Sequence, residues 1–501
     1  MSRTALYLLL NVAFALVTVA GAAVHKDVAH PLYVILLFAI CSAPVYEAKI
    51  VNGPYSLLIL WSFDFFLMYG ALDFQHLILG IEGATVAPIP SPGIFSRAEL
   101  VILAGGTVMQ FAYRFACRAA SKSRPSSAPK NWSERTLVLV GLALWVVSSR
   151  LCWEFSVHIL TQKSSAAAAA GLASLGGVKV AIFMLARMAQ PLSILILAYA
   201  QCRYKRPYML AVVIAVTLYQ LFYGFVIDTK TEAIIGGILV LLTNLSVNGR
   251  VPKGLLALMV VMIVTSFPIL QANRVVRDER GIESDKVAQN IGEAFQEALR
   301  ATDRVNTGRV RAQSPLERLT TKGSVQLIVD GTGTAHPFQH GYTLSPIVTA
   351  FIPRLLWSDK PSIQTGQILN REFHISEDPD TYISPSHLGE LYWNFGWAGV
   401  IAGMSLIGVL LGVLGAKFNL AEAPTITRLL VMIVTIRLLI LASEGELATQ
   451  YTVWLRSLLA IGLLHWVFAR VPWRAGRAAD AAQSTQEPED SPPVLFPNLL
   501  R

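Results

Sequence analysis

The chain has 501 residues, 54% of them hydrophobic and only 15% charged, with a formal net charge of +9. This composition excludes a soluble enzyme with a single anchor, and it points to a polytopic membrane protein. The surplus of Lys and Arg follows the loops between apolar runs, so it is a topology signal and not a nucleic-acid footprint.

A hydrocarbon core of roughly 30 Å needs about 20 apolar residues per helix. Runs of that kind lie at 4–23, 31–47, 56–79, 98–117, 136–153, 179–200, 208–227, 231–247, 254–271, 387–414, 427–443 and 451–469. They predict an all-α fold of about twelve transmembrane helices. The first run exceeds the roughly 7 to 15 residues of a signal-peptide core, and removing it would reverse the parity of the loops, so it is read as helix one. Alternate junctions carry Arg3, Lys49, Arg114, Arg118, Lys122, Arg124, Lys130, Arg135, Arg203, Lys205, Arg206, Arg250, Lys253, Lys417, Arg428, Arg470, Arg474 and Arg477. The opposite short junctions carry only Lys26, Arg97, Arg150, Lys163, Lys179 and Lys230. Positive charge stays on the cytoplasmic side, so both termini are expected there and the long polar stretch 272–385 faces outward.

Four regions follow: nine helices over 1–271, the outer loop 272–385, three helices over 386–470, and a tail 471–501 without periodicity that reads as a disordered cytoplasmic segment. Residues 118–134 form a basic, Ser/Pro-rich linker, read as a solvated orientation signal. Within the loop, Val287, Ile291, Ala294 and Phe295 share one helical face, Ser314-Pro-Leu-Glu317 is a capping box, and Ser345-Pro-Ile-Val opens a helix that Pro353 must end or kink. The loop therefore reads as short amphipathic helices on the membrane surface. Its 13 basic and 14 acidic residues nearly cancel. Cys41, Cys117, Cys152 and Cys202 lie in or beside membrane helices, and neither they nor the histidines have metal-ligand spacing, so no metal or cofactor is expected.

Cations in the outer half of the bundle are the most informative anomaly. Arg187, Arg437 and Arg456 fall within apolar runs, where an Arg costs at least about 2.5 kcal/mol on insertion scales. Arg150 and Lys230 add charge on the same side, and Arg274, Arg354 and Lys360 lie in the loop. Together they would suit a lipid-borne anion, and a pyrophosphate best, because guanidinium forks engage its oxygens bidentately. Each has a structural alternative: pairs with Glu444 or Glu446, pairs of Lys230 with Asp228 or Glu232, or snorkelling at the interface. Glu390, just inside helix ten, would have to be paired or functional, and Asn394 lies one turn further on the same face. His336, His340 and His387 are further candidates for a general base, against the commoner reading of a surface histidine.

The string Gly341-Tyr-Thr, then Ile352-Pro-Arg-Leu-Leu-Trp-Ser-Asp-Lys-Pro361, then Gly389-Glu-Leu-Tyr-Trp-Asn-Phe-Gly-Trp-Ala-Gly399 resembles the Wzy-type oligosaccharide repeat-unit polymerases. Asn273-Arg274 resembles their Arg after the preceding helix. Asp228-Thr-Lys-Thr-Glu232 stands where such proteins often show Gly-Ser-Arg/Lys-Gly, and it departs from that pattern. The resemblance implies a GT-C-like glycosyltransferase of the bacterial inner membrane with one large periplasmic loop between helices nine and ten. It implies a donor glycan on undecaprenyl pyrophosphate, no nucleotide sugar, membrane lipid and lipid-linked oligosaccharide as partners, and a chain-length regulator as a further candidate partner. Glu390 or a histidine would then activate the acceptor, while Tyr392, Asn394 and the cations would bind glycan or pyrophosphate. An O-antigen-type ligase shares the donor. A flippase for the same lipid would show inverted repeats with matching broken helices, and a non-catalytic scaffold would leave the arginines without a purpose.

Overall fold

The computed structural model describes residues 3–25, 30–46, 57–80, 95–121, 132–159, 176–226, 230–248, 254, 257, 319–349, 351–352, 357, 364–377, 379, 381–418 and 425–468. Its elements are α1 (Arg3–Val24), α2 (Pro31–Tyr46), α3 (Leu57–Tyr69), α4 (Ala71–Leu79), α5 (Arg97–Ser121), α6 (Glu134–Ile159), α7 (Gly176–Tyr204), α8 (Pro207–Val226), α9 (Lys230–Asn248), α10 (Lys322–Gly331), α11 (Pro346–Thr349), α12 (Thr365–Phe373), α13 (Ser386–Lys417), α14 (Ile426–Thr435) and α15 (Leu447–Phe468). A π-helical turn, Ile436–Ile440, continues α14. Among the described residues the protein is helical, with one isolated bridge between Thr332 and His336.

Seven described helices are long and apolar enough to cross a membrane, or eight if the bent pair α3–α4 is one span. Pro31–Val45 and Ile234–Asn248 are shorter apolar helices. The expected run 254–271, the helices expected near Ser284 and Ser314, the linker and the tail lie outside the described residues. The chain forms two compact units: Met1–Ser126 with Gln313–Asn419 and Val434–Arg456, and Ser127–Ala312 with Leu420–Ile433 and Ser457–Arg501.

In the second unit α7 packs on α6 and α9, and α8 on α9. Cys152, Ala186 and Tyr223 form a small buried cluster there, and Arg206 pairs with Glu134 at 3.3 Å.

In the first unit α13 packs mainly on α5. Gly408 and Gly412 make the close approach possible, because a Cβ at either position would stand 2.4 or 2.5 Å from the Met109 or Tyr113 carbonyl oxygen. Small residues four apart are the usual device for bringing helix backbones together in lipid.

Two helices of this unit are broken. The pair α3–α4 bends by 50° at Gly70, which removes the Met68 and Tyr69 carbonyls from the helical ladder. Thr320 Oγ1 and the Thr321 N–H donate to Met68 O at 2.8 and 3.3 Å, and the Tyr33 hydroxyl donates to Tyr69 O at 2.7 Å. Helix α13 breaks at Gly396, whose φ of 60° and ψ of −142° suit glycine alone. Its two arms fold against each other: a Cβ at Gly399 would lie 2.3 Å from Leu391 O, and one at Gly403 2.3 Å from Leu391 Cδ2. In a straight helix residues 391 and 403 would be about 18 Å apart. The long arm, 397–417, has about the 21 residues that a hydrocarbon core requires. The short arm, 386–395, is buried except at Phe395 and carries the polar residues.

The described part of the loop is built into this unit. Val325, Ile328 and Val329 of α10 are fully buried, and α10 packs on α5 and α13, so this helix is an internal element and does not lie on the surface as expected. Lys322 anchors it. Its ammonium reaches Asp73 Oδ2 at 2.5 Å and Glu99 Oε1 at 2.8 Å, and lies 4.3 Å from the centre of the Tyr33 ring. His30 Nδ1 meets the other Glu99 oxygen at 2.6 Å. Burial alone would lower the Lys322 pKa, but the two carboxylates outweigh it and hold the ammonium above its ordinary value.

Gly396→Ala should lower the thermal midpoint of the purified protein, since the strain is on the order of 1 to 3 kcal/mol. Gly462→Ala, in a helix with nothing within 4 Å of the new Cβ, is the matched control and should leave the midpoint unchanged or raised; equal midpoints for the two variants would contradict the broken helix.

Candidate functional site

Where the short arm of α13 meets the turn 441–446, the two helix ends cap each other. The N–H groups of Ser386 and His387 donate to the carbonyls of Glu444 and Ser443 at 3.1 and 3.0 Å. In return Glu390 Oε2 accepts the N–H of Leu447, the first residue of α15, at 2.7 Å. Glu446 Oε1 accepts the Gly366 N–H at 3.0 Å and its other oxygen accepts the Thr449 hydroxyl at 2.6 Å. These carboxylates take helix N-terminal donors that would otherwise have no partner.

The broken helix α3–α4 touches the same place. The Tyr69 hydroxyl donates to Ser386 Oγ at 2.9 Å, Ser386 Oγ accepts the Gly389 N–H at 3.2 Å, and Ser443 donates to Asp64 Oδ2 at 2.9 Å. At the far end of the short arm, the break at Gly396 frees the Trp393 and Asn394 carbonyls, and the N–H groups of Gln339 and His340 donate to them at 3.0 and 3.2 Å. Asn394 completes the junction: its Nδ2 donates to Thr343 Oγ1 at 2.7 Å and to Glu390 O at 2.8 Å, and its Oδ1 accepts the Gly341 N–H at 2.8 Å.

The centre is acidic and largely buried. Glu390 is 0% exposed, and Asp64, Glu390, Glu444 and Glu446 form no ion pair among the described residues. Burial raises the Glu444 carboxyl above its ordinary value. Of the buried polar side-chain atoms that have no hydrogen-bond partner among the described residues, three lie here: Glu390 Oε1, His387 Nε2 and the Tyr451 hydroxyl. His387 and Glu390 are three apart on the short arm, the His387 and Tyr451 rings are 6.0 Å apart, and Tyr451 lies one turn beyond Leu447. The three atoms thus belong to one crossing of α13 and α15. No group of three or more potential metal ligands occurs among the described residues.

The other expected site residues are spread more widely. His336 stacks near Phe373, ring centres 4.2 Å apart, beside Glu372, whose carboxyl burial raises and His336 partly lowers. His340 is exposed with φ of 47°, and its contribution to the junction is its backbone N–H. Tyr392 accepts from Arg97 at 3.3 Å. Arg437 lies half-buried on the π-helical turn that leads into 441–446, a local distortion common at functional sites. Arg456 is half-buried midway along α15.

In the second unit, Arg150 lines a groove of about 360 Å³ with Trp145, Trp153, Tyr219 and Phe222, and it pairs loosely with Glu154 at 3.9 Å. Arg187 is half-buried with its guanidinium 6.0 Å from the Phe183 ring centre. The side chains of Lys230 and Glu232, and residues Asp228, Arg274, Arg354 and Lys360, lie outside the described residues. Sequence reasoning missed Tyr69, Ser386, Ser443 and Tyr451; the one available signal was the hydroxyl and acid content of 443–452 at the head of an apolar run.

A helical membrane protein with a buried acidic junction between broken helices is the class that fold and site define. The family model for the O-antigen polysaccharide polymerase Wzy matches residues 6–471. The chain therefore belongs to that family. No curated protein and no solved structure matches it.

Replacing Glu390 by Ala should destabilise the protein by about 1 to 3 kcal/mol, because the Leu447 N–H loses its acceptor in a buried site. Gln retains an acceptor oxygen and should recover most of that loss, as read from thermal midpoints in one detergent; an Ala variant as stable as the parent would remove Glu390 from the junction.

Proposed function

We propose that this polymerase joins repeat units at the junction of α13 and α15, taking its donor glycan from undecaprenyl pyrophosphate on the periplasmic face of the bacterial inner membrane. The family supports O-antigen repeat-unit polymerisation in the membrane; the chemistry is read from the site. The observation that carries it is Glu390, with one oxygen held by the Leu447 N–H and the other without a partner among the described residues. A carboxylate so fixed is positioned to act as a base and cannot swing away.

In the proposed step Glu390 takes the proton of an acceptor hydroxyl, the acceptor oxygen bonds to the anomeric carbon of the donor sugar, and the bond from that carbon to the pyrophosphate breaks. The departing pyrophosphate takes up negative charge, so it requires cations away from the acidic centre. Arg437 and Arg456, on the helices leading to and from the turn, are the proposed contacts in this unit. Asn394, which ties Glu390 to Thr343, would hold the turn 339–345 over the acceptor. Because Glu390 is fully buried, entry of the acceptor requires that turn to lift.

A ligase would use the same donor and site, so the choice between them rests on the family. The two breaks, at Gly70 and Gly396, both fall in one unit. They do not occupy corresponding places in two repeats as an inverted-repeat transporter would require.

The test is reconstitution. The purified protein in liposomes, given only lipid-linked repeat units, should make polymer without nucleotide sugar, and Arg437→Ala should leave single repeats unjoined while inserting normally. Polymer of unchanged length from Arg437→Ala would remove that residue's role, and a strict need for nucleotide sugar would overturn the mechanism.

A further inference from the structure

We propose that residues 342–349 with Phe351 and Ile352 are seated in the membrane itself, their apolar side chains among the lipid hydrocarbon of the leaflet on the loop's side. The segment reads Tyr342-Thr-Leu-Ser-Pro-Ile-Val-Thr-Ala-Phe-Ile352 and contains no Lys, Arg, Asp or Glu. Four of its large side chains face outward: Tyr342 is 51% exposed, Val348 74%, Phe351 47% and Ile352 39%. Exposed apolar residues scattered singly need no explanation, but four within eleven residues of an uncharged stretch form a patch that water would penalise.

Two attachments place this patch at membrane depth. Pro346 O accepts the Thr452 hydroxyl at 3.3 Å, and Thr452 lies five residues inside the spanning helix α15, about 7 to 8 Å below its first residue at 1.5 Å per residue. At the other end, a Cβ on Gly341 would stand 3.2 Å from the Phe395 ring. Phe395 and Trp397, exposed at 48% and 41%, flank the break where the spanning arm of α13 begins. Aromatic residues at such a point mark the interface of a bilayer. The segment is thus fastened between the mouths of two spans and lies below the head of one of them.

Its backbone is also prepared for lipid. The N–H groups of Tyr342, Leu344, Ser345, Ile347, Val348, Thr349 and Ile352 donate to carbonyls within residues 339–349, and the Ser345 hydroxyl returns to Tyr342 O at 2.8 Å. Internal satisfaction of this kind is what hydrocarbon demands and water does not. The occupant of the patch is therefore lipid and not a protein partner, since an aqueous docking surface would carry a polar rim. One consequence rests on the function proposed above. Thr343, beside Tyr342, is bonded to Asn394, so a lipid-borne headgroup moving along this face arrives at the Glu390 junction without leaving the membrane surface.

The seat itself is testable apart from any activity. Val348→Cys carries an environment-sensitive fluorophore in proteoliposomes, with Thr334→Cys, exposed in the same loop, as the aqueous control; the four native cysteines are buried. The expected result at 348 is blue-shifted emission, quenched several-fold more by doxyl-labelled lipid than by a water-soluble quencher, with the opposite ranking at 334. Phe351→Cys should repeat the 348 pattern and replaces it if that variant fails to fold. Quenching at both 348 and 351 by the aqueous reagent would overturn the proposal. So would a probe shielded from both quenchers, which would mean a second copy or another protein covers the patch.

Discussion

Backbone groups released by a helix break inside a membrane must find partners within the protein, and the first unit is arranged around that requirement. Breaks at Gly70 and Gly396 leave carbonyls of residues 68, 69, 393 and 394 outside the helical ladders. Three of them, at 68, 393 and 394, take N–H groups from the described loop, and the carbonyl of 69 takes the Tyr33 hydroxyl. Each unsatisfied group would cost several kcal/mol in hydrocarbon. The loop is thus a structural part of the bundle, and the short arm of α13 exists because the loop completes it.

The same economy explains where the acids sit. Glu390 accepts the first backbone N–H of α15 and Glu446 accepts the Gly366 N–H near the head of α12, positions where a negative charge is favoured by the helix dipole. Lys322 performs the corresponding task at the other end of the described loop, joining α4, α5 and α10 through Asp73 and Glu99. One cluster has its acids paired with a cation and fixes the loop. The other lacks a cation among the described residues and keeps polar atoms of Glu390, His387 and Tyr451 without partners. That contrast separates the cluster that only holds the fold from the one proposed to do chemistry.

Much of this was legible in the residues and some was not. The apolar runs announced the helices, and Glu390 with Asn394 stood out because a carboxylate at the head of an apolar run is expensive without a purpose. The break at Gly396 was hidden: Gly-Trp-Ala-Gly inside a long apolar run reads as uninterrupted helix, since glycine is common in membrane helices. Lys322 was equally silent. Its partners Asp73 and Glu99 lie more than two hundred positions away in sequence, and no periodicity can disclose such a pairing. Arg187, Arg437 and Arg456 were legible as anomalies because each interrupts an apolar run. The segment after Gly341 was read only as a helix start at Ser345, because its depth depends on Thr452 of a distant helix.

The central claim is that Glu390 both holds α15 and removes the acceptor's proton, and one substitution separates the two roles. Glu390→Gln keeps an oxygen for the Leu447 N–H but is a far weaker base. Reconstituted in liposomes with lipid-linked repeats, it should retain the parent's thermal midpoint and lose polymerisation by two orders of magnitude or more, on the order of what a positioned general base contributes. A well-folded Gln variant that polymerises at the parent's rate would show Glu390 to be a helix cap and nothing further.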